Sequence, residues 1–136
     1  MIKNALIAGI QSGGGTAYDM GEEPLPITRS AVRFYSLDGG IALSGFGKEG
    51  TSYVSLDIMN SLGADIENEE LQKLTRLVES GEAKRENVSQ IKEAEYLFEY
   101  KLYYLKSLIN STSGEPLNAR ILINCDNVWA RELLES

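Results

Sequence analysis

Apolar positions follow two rhythms along the chain, and the change comes near residue 63. Before it, short apolar runs are broken by glycine, which is the strand-and-turn pattern. Lys3 to Ile10 reads as a first strand, followed by the loop Ser12-Gly13-Gly14-Gly15 and an extended piece through Thr16-Ala17-Tyr18. Pro24-Leu25-Pro26 biases the backbone toward extended geometry and leads into a strand over Ile27 to Leu37. Val32 to Leu37 and Ile41 to Ser44 flank Asp38-Gly39-Gly40, a turn in which glycine can take positive φ. A second turn at Gly47-Lys48-Glu49-Gly50 opens a strand over Thr51 to Ile58, so the simplest topology is a meander.

From residue 64 the period moves toward 3.6. Asp65, Glu67, Glu69 and Glu70 crowd an expected helix start, where the dipole favours acid. Ile66, Leu71, Leu74, Leu77 and Val78 then recur at helical spacing up to Ser80-Gly81. A longer helix is expected from about residue 84 to Asn110, with Val88, Ile91, Ala94, Phe98, Leu102, Leu105 and Ile109 on one stripe. Pro116 follows its end. Ala119 to Cys125 reads as a buried strand, and Asp126 or Asn127 as the cap of a short helix through Leu134.

Strands in one block and helices mainly in another define the α+β class. The expected architecture is a Gly-rich antiparallel sheet, the N-terminal meander plus one C-terminal strand, packed against a helical hairpin. Without repeats or a long linker, 1–136 is read as a single domain: mainly β over 1–63, two helices over 64–112, and a strand with a short helix over 117–136.

Composition narrows the chemistry. The 136 residues carry 13 Lys and Arg against 20 Asp and Glu, a net charge of −7, and no histidine. Nucleophile pairs and metal sites built on imidazole are therefore excluded. The acidity argues against long nucleic-acid partners, which require clustered cations. The lone Cys125 can form no internal disulfide and is read as a packed, inert thiol. The N-terminal apolar stretch is too short for a signal peptide, and no run approaches the roughly 18 apolar residues of a spanning helix. A cytoplasmic protein without membrane contact or cofactor is expected.

Ser12, Gly13, Gly14, Gly15 and Thr16 follow an apolar run and offer consecutive amides that could cradle an anion, although neither a P-loop nor a dinucleotide fingerprint is complete. Arg29 and Arg33, four apart on the expected strand, share a face, and Tyr18 or Tyr35 could stack beside them on a base. These arginines supply half of the four positive charges in residues 1–63, where the net charge is −2 of the total −7. Five of the 11 aromatics lie between residues 96 and 104. Tyr96, Tyr100, Tyr103 and Tyr104 are read as an interface, because tyrosine supplies contact area at low entropic cost. Asp19, Glu22 and Glu23, or Asp38 with Asp57, could form carboxylate pairs, but acids beside glycine and proline are ordinary turn formers.

The function expected from these features is a non-catalytic oligomeric binding protein that regulates or sequesters a small anionic ligand such as a nucleotide. The alternative is an acidic protein-partner module or inhibitor acting through the Tyr-rich helical surface. Both imply a homo-oligomer, and an enzyme ranks last for want of a catalytic motif. The general look is that of a small prokaryotic or phage accessory protein.

Overall fold

The computed structural model describes residues 1–48, 51–83, 85–111, 120, 122–124 and 131. In chain order the elements are helix α1 (Ile2–Ser12), strand β1 (Tyr18–Asp19), helix α2 (Leu25–Phe34), strands β2 (Gly39–Lys48) and β3 (Thr51–Asn60), helix α3 (Asn68–Ser80), a 3-10 turn (Val88–Gln90), strand β4 (Glu95–Tyr96) and helix α4 (Tyr100–Ser111). The class is α+β, as expected, but the sheet differs. Two separate two-stranded sheets replace the single antiparallel meander: β1 pairs with β4 in parallel, and β2 with β3 antiparallel.

The first and second expected strands are helices. Lys3 to Ile10 lies inside α1, whose Leu6, Ile7 and Ile10 share one side at helical spacing. A short apolar run fits either period, and here length decides for helix. Ile27 to Leu37 begins inside α2, where buried Ile27 and Ala31 stand one turn apart and Val32 joins them. Pro26 sits in the first turn of α2, where its missing N–H costs no hydrogen bond, so it starts a helix instead of extending a strand. The helix ends in a Schellman arrangement. Leu37 N–H donates to the Val32 carbonyl at 2.9 Å and Ser36 N–H to that of Arg33 at 3.1 Å, with Ser36 at φ 52°.

The β2–β3 pairing and α3 follow the sequence pattern closely. Gly39 pairs with Asn60 and Lys48 with Thr51, so the expected second turn closes this hairpin. In α3, Glu67 and Glu70 form a capping box and Gly81 ends the helix at φ 66°. The expected long helix over 84–110 survives only as α4. Ahead of it the backbone bonds elsewhere: Glu86 N–H donates to the Ser12 carbonyl, and Glu95 and Leu97 N–H donate to the Ala17 and Asp19 carbonyls. These long-range bonds override local helical periodicity. Of the expected strand Ala119 to Cys125, residues 122–124 carry no regular secondary structure. Cys125 and most of the last expected helix lie outside the described residues.

The core centres on α2. Ile27, Ala31 and Tyr100 cluster, with Met20, Tyr35 and Tyr104 against them, and Ser30 Oγ meets the Tyr100 hydroxyl at 2.7 Å. On its other side, Val32 meets the base of the hairpin so tightly that a Cβ at Gly40 would stand 2.7 Å from it. Arg29 ties down the loop after β3 through the Gly63 carbonyl at 3.2 Å and the Asp65 carboxylate. Among the described residues no helix is long and apolar enough to cross a membrane.

Two glycine-region positions give opposite expectations. Gly63 sits at φ 68°, and a Cβ there would overlap the Arg29 carbonyl, so Gly63→Ala should lower stability by about 3 kcal/mol through strain and overpacking together. Ser36→Gly should raise it by about 0.5–1 kcal/mol by relieving a left-handed serine. Urea unfolding of both variants checks the pair, and a Gly63→Ala protein as stable as the parent would show that the 60–65 loop does not seat on α2.

Candidate functional site

The short strand β1 holds a charged residue that is buried. Asp19 is 8% exposed, and its carboxylate accepts from Lys3 Nζ at 2.7 Å and from the Gly21 amide at 2.8 Å. Burial alone would raise its pKa, but the Lys3 hydrogen bond, the Gly21 amide and the Lys3 charge outweigh it and hold the carboxyl below its ordinary value. The Asp19 hydrogen bond in turn pushes the Lys3 ammonium upward. This pair straps α1 to β1 and fixes the turn that follows.

That turn, Gly21-Glu22-Glu23-Pro24, runs from the carboxyl end of β1 to the first turn of α2. It lines a cavity of about 470 Å³ together with Lys3, Thr28 and the β2 residues Ala42 and Leu43. Glu23 has one carboxylate oxygen buried without a hydrogen-bond partner among the described residues. Burial raises its pKa above the ordinary carboxylate value, with the Lys101 charge opposing. A desolvated carboxyl beside an ammonium can accept from, or exchange a proton with, a bound hydroxyl or amine. A second, larger cleft of about 760 Å³ lies between α1, α2, β1 and the base of the hairpin.

The residues singled out from sequence are dispersed. Gly15, Thr16, Tyr18 and Tyr35 line the larger cleft together. Gly13 and Gly14 instead border a separate surface cavity with Glu86 and Lys92. The glycine amides are already occupied: Gly13, Gly14 and Gly15 donate to the carbonyls of Gly9, Ile10 and Gln11, and the Ser12 hydroxyl donates to the Gly9 carbonyl. The loop thus caps the negative end of a helix rather than the positive end that an anion prefers. Arg29 is committed to Asp65 and Gly63, while Arg33 lies exposed on α2. Tyr100 is 3% exposed inside the core and Tyr104 packs against it, leaving Tyr96 and Tyr103 on the surface. Sequence reasoning missed Lys3 and passed over Asp19, Glu22 and Glu23 as turn formers. The available signal was an acidic pair just ahead of Pro24-Leu25-Pro26, where a helix start brings side chains to a strand end.

An open sheet with a turn at its carboxyl edge leading into a helix is the usual seat of a ligand in α/β enzymes. The family model for phosphoglucomutase/phosphomannomutase, alpha/beta/alpha domain I, matches residues 1–85, and the chain belongs to this family. Two curated relatives are similar to it. The probable phosphoglucosamine mutase of Pyrococcus horikoshii is 27% identical over 85 residues, 62% of this chain and 19% of the relative. Its counterpart from Pyrococcus abyssi is 26% identical over 103 residues, 74% of this chain and 23% of the relative. The chain therefore spans about a fifth of their length.

Membership of an enzyme family overturns the expected non-catalytic sequestering protein, its alternative as an acidic partner module or inhibitor, and the reading as an accessory protein. The missing histidine removes imidazole chemistry but leaves carboxylate and lysine chemistry open.

The Lys3–Asp19 strap predicts a defined pH response. Because the Asp19 pKa is lowered in the fold, its contribution is present above the ordinary value of 3.8 and is lost as pH falls through the depressed one. The raised Lys3 value places the opposite loss above 10.5. Asp19→Asn should cost about 1–3 kcal/mol at neutral pH by leaving Lys3 without its charged partner. Urea midpoints measured across pH should converge with the parent below 3.8. A gap that is the same in acid and at neutrality would mean that the carboxylate charge contributes nothing.

Proposed function

We propose that this chain supplies the domain-I part of a phosphosugar mutase whose substrate is a phosphorylated amino sugar. The match over residues 1–85 carries this reading, because it contains α1, β1, α2, the hairpin and α3, and with them the Gly21 to Pro24 turn. The amino-sugar assignment rests on the printed activity of the two Pyrococcus relatives.

In this reading the 470 Å³ cavity at the end of β1 is one wall of the sugar site. Glu22 and Glu23 offer acceptors to sugar hydroxyls and to an ammonium group, and Lys3 offers a single cation. Glu23, with its raised pKa, is the group suited to exchange a proton with a hydroxyl that gains or loses the phosphoryl group. The remaining walls belong to the parts of a mutase beyond the matched segment. Exposed Tyr96 and Tyr103 are available for contact with those parts or with a second copy.

A segment exchange tests the reading. Residues 1–85 replace the corresponding domain-I segment of the Pyrococcus horikoshii mutase, and glucosamine phosphate is titrated calorimetrically. The folded chimaera should bind within about tenfold of the parent, and Glu23→Gln should weaken it by about tenfold, near 1.4 kcal/mol. A folded chimaera that binds no glucosamine phosphate, or one indifferent to Glu23→Gln, would refute the assigned wall.

A further inference from the structure

Beyond the matched residues 1–85, the β4 segment carries two exposed aromatic rings. Tyr96 pairs in register with Asp19 across the parallel β1–β4 ladder, so the two side chains share a face. Asp19 turns to Lys3 of α1, which makes that face the α1 side. The ladder continues past Tyr96, because Leu97 N–H donates to the Asp19 carbonyl at 2.9 Å. Phe98 therefore returns to the side of Tyr96. The two rings stand parallel, with 5.3 Å between centroids and 6° between planes. They keep 62% and 67% of their surface in water, although both are large and apolar.

The pair adjoins the Gly21 to Pro24 turn. A Cβ built at Gly21 would stand 4.0 Å from Phe98 Cε1, which is ordinary contact distance. The Lys3 ammonium is raised most by its Asp19 hydrogen bond and opposed by burial, and the charges of Asp19, Tyr96 and Glu22 add to the rise. Tyr96 and Glu22 thus lie within Coulombic reach of Lys3. Lys3, Gly21 and Glu22 also line the 470 Å³ cavity. Two aromatic rings, an exposed carboxylate and a half-exposed ammonium therefore surround one turn.

We propose that Tyr96 and Phe98 form a stacking platform for a pyranose ring, with Glu22 and Lys3 at its hydroxyl rim. A pyranose with equatorial hydroxyls carries its axial C–H bonds on flat faces, and such a face leaves water readily for an aromatic ring. Its rim hydroxyls need acceptors and donors, which a carboxylate and an ammonium supply. A nucleobase would stack as well, but the phosphates of a nucleotide would meet Glu22 and Glu23, which repel them. Rings held by a hydrogen-bonded strand also lose less freedom on binding than rings on a loop, so the platform is pre-organised. This inference takes its ligand from the proposed sugar wall and extends that wall past residue 85, on residues the wall does not use.

The test uses the full chain with glucosamine phosphate, with glucitol phosphate as an open-chain control and AMP as a nucleobase probe. Binding is followed by NMR titration and by saturation transfer from the aromatic protons. Transfer should concentrate on the axial C–H protons of the sugar, and glucitol phosphate should bind about tenfold more weakly. Tyr96→Ala and Phe98→Ala should each weaken glucosamine phosphate about tenfold and remove the transfer. Both side chains are exposed, so the substitutions leave the core in place. Phe98→Leu keeps apolar bulk without a flat face and should recover little of the loss. The chimaera of residues 1–85 contains neither ring, so its failure counts against the wall alone. Ring variants that bind like the parent while Glu23→Gln weakens binding would overturn the platform alone. So would a full chain that binds no glucosamine phosphate, that does not distinguish it from glucitol phosphate, or that prefers AMP. Tyr96 and Phe98 resonances that move with protein concentration instead of sugar would also overturn it, by placing a second copy on the rings.

Discussion

The seating of α2 is the constraint on which the remaining elements depend. Its ten residues turn Ile27 and Ala31 toward Tyr100, Val32 toward Gly40 and Met59, Arg29 toward Gly63 and Asp65, and Ser30 toward the Tyr100 hydroxyl. Remove that helix, and α4 and the hairpin lose the surface that joins them. The helix is short for a stable element in isolation, so its packing, not its propensity, holds it. By contrast α3 is well capped yet buries none of its residues among those described. Leu71, Leu74, Leu77 and Val78 stay exposed along one side. Local signals make α3 a helix, whereas tertiary contacts make α2 one.

The same helix orders the site. Its first turn receives the Gly21 to Pro24 segment from β1, and β1 is itself held by the Lys3–Asp19 pair from α1. Acid is thereby concentrated at a strand end, where Glu23 is desolvated and Asp19 is neutralised by its lysine. The acidity that sequence composition showed is thus in part a property of a pocket. That arrangement suits a ligand rich in hydroxyl and amine groups better than it suits a bare phosphate.

The legible parts of the fold were those in which local chemistry and tertiary need agree. Glu67, Glu70 and Gly81 mark both ends of α3, and the turn before Thr51 marks the hairpin. The misread parts were short. Lys3 to Ile10 and Ile27 to Leu37 are brief apolar runs whose period is ambiguous, and Pro26 signals extension locally although a first helical turn accepts it. Residues 84–99 have helical spacing, but Glu95 and Tyr96 gain more from pairing with a strand nearly 80 residues earlier, which no local window reveals. Of the candidate site, Gly15, Thr16, Tyr18 and Tyr35 do meet on one cleft. Arg29 and Arg33 misled because charge was scarce: one was needed to anchor a loop, and the other faces solvent.

Residue-resolved amide hydrogen exchange on the intact chain tests the seating of α2. The amides of Ala31, Val32 and Met59 should be the last to exchange, and those of α3 should exchange about 100-fold faster, because an unpacked helix opens locally while α2 opens only with the fold. Equal protection of α2 and α3, or loss of α2 protection while the hairpin base stays closed, would contradict this ordering.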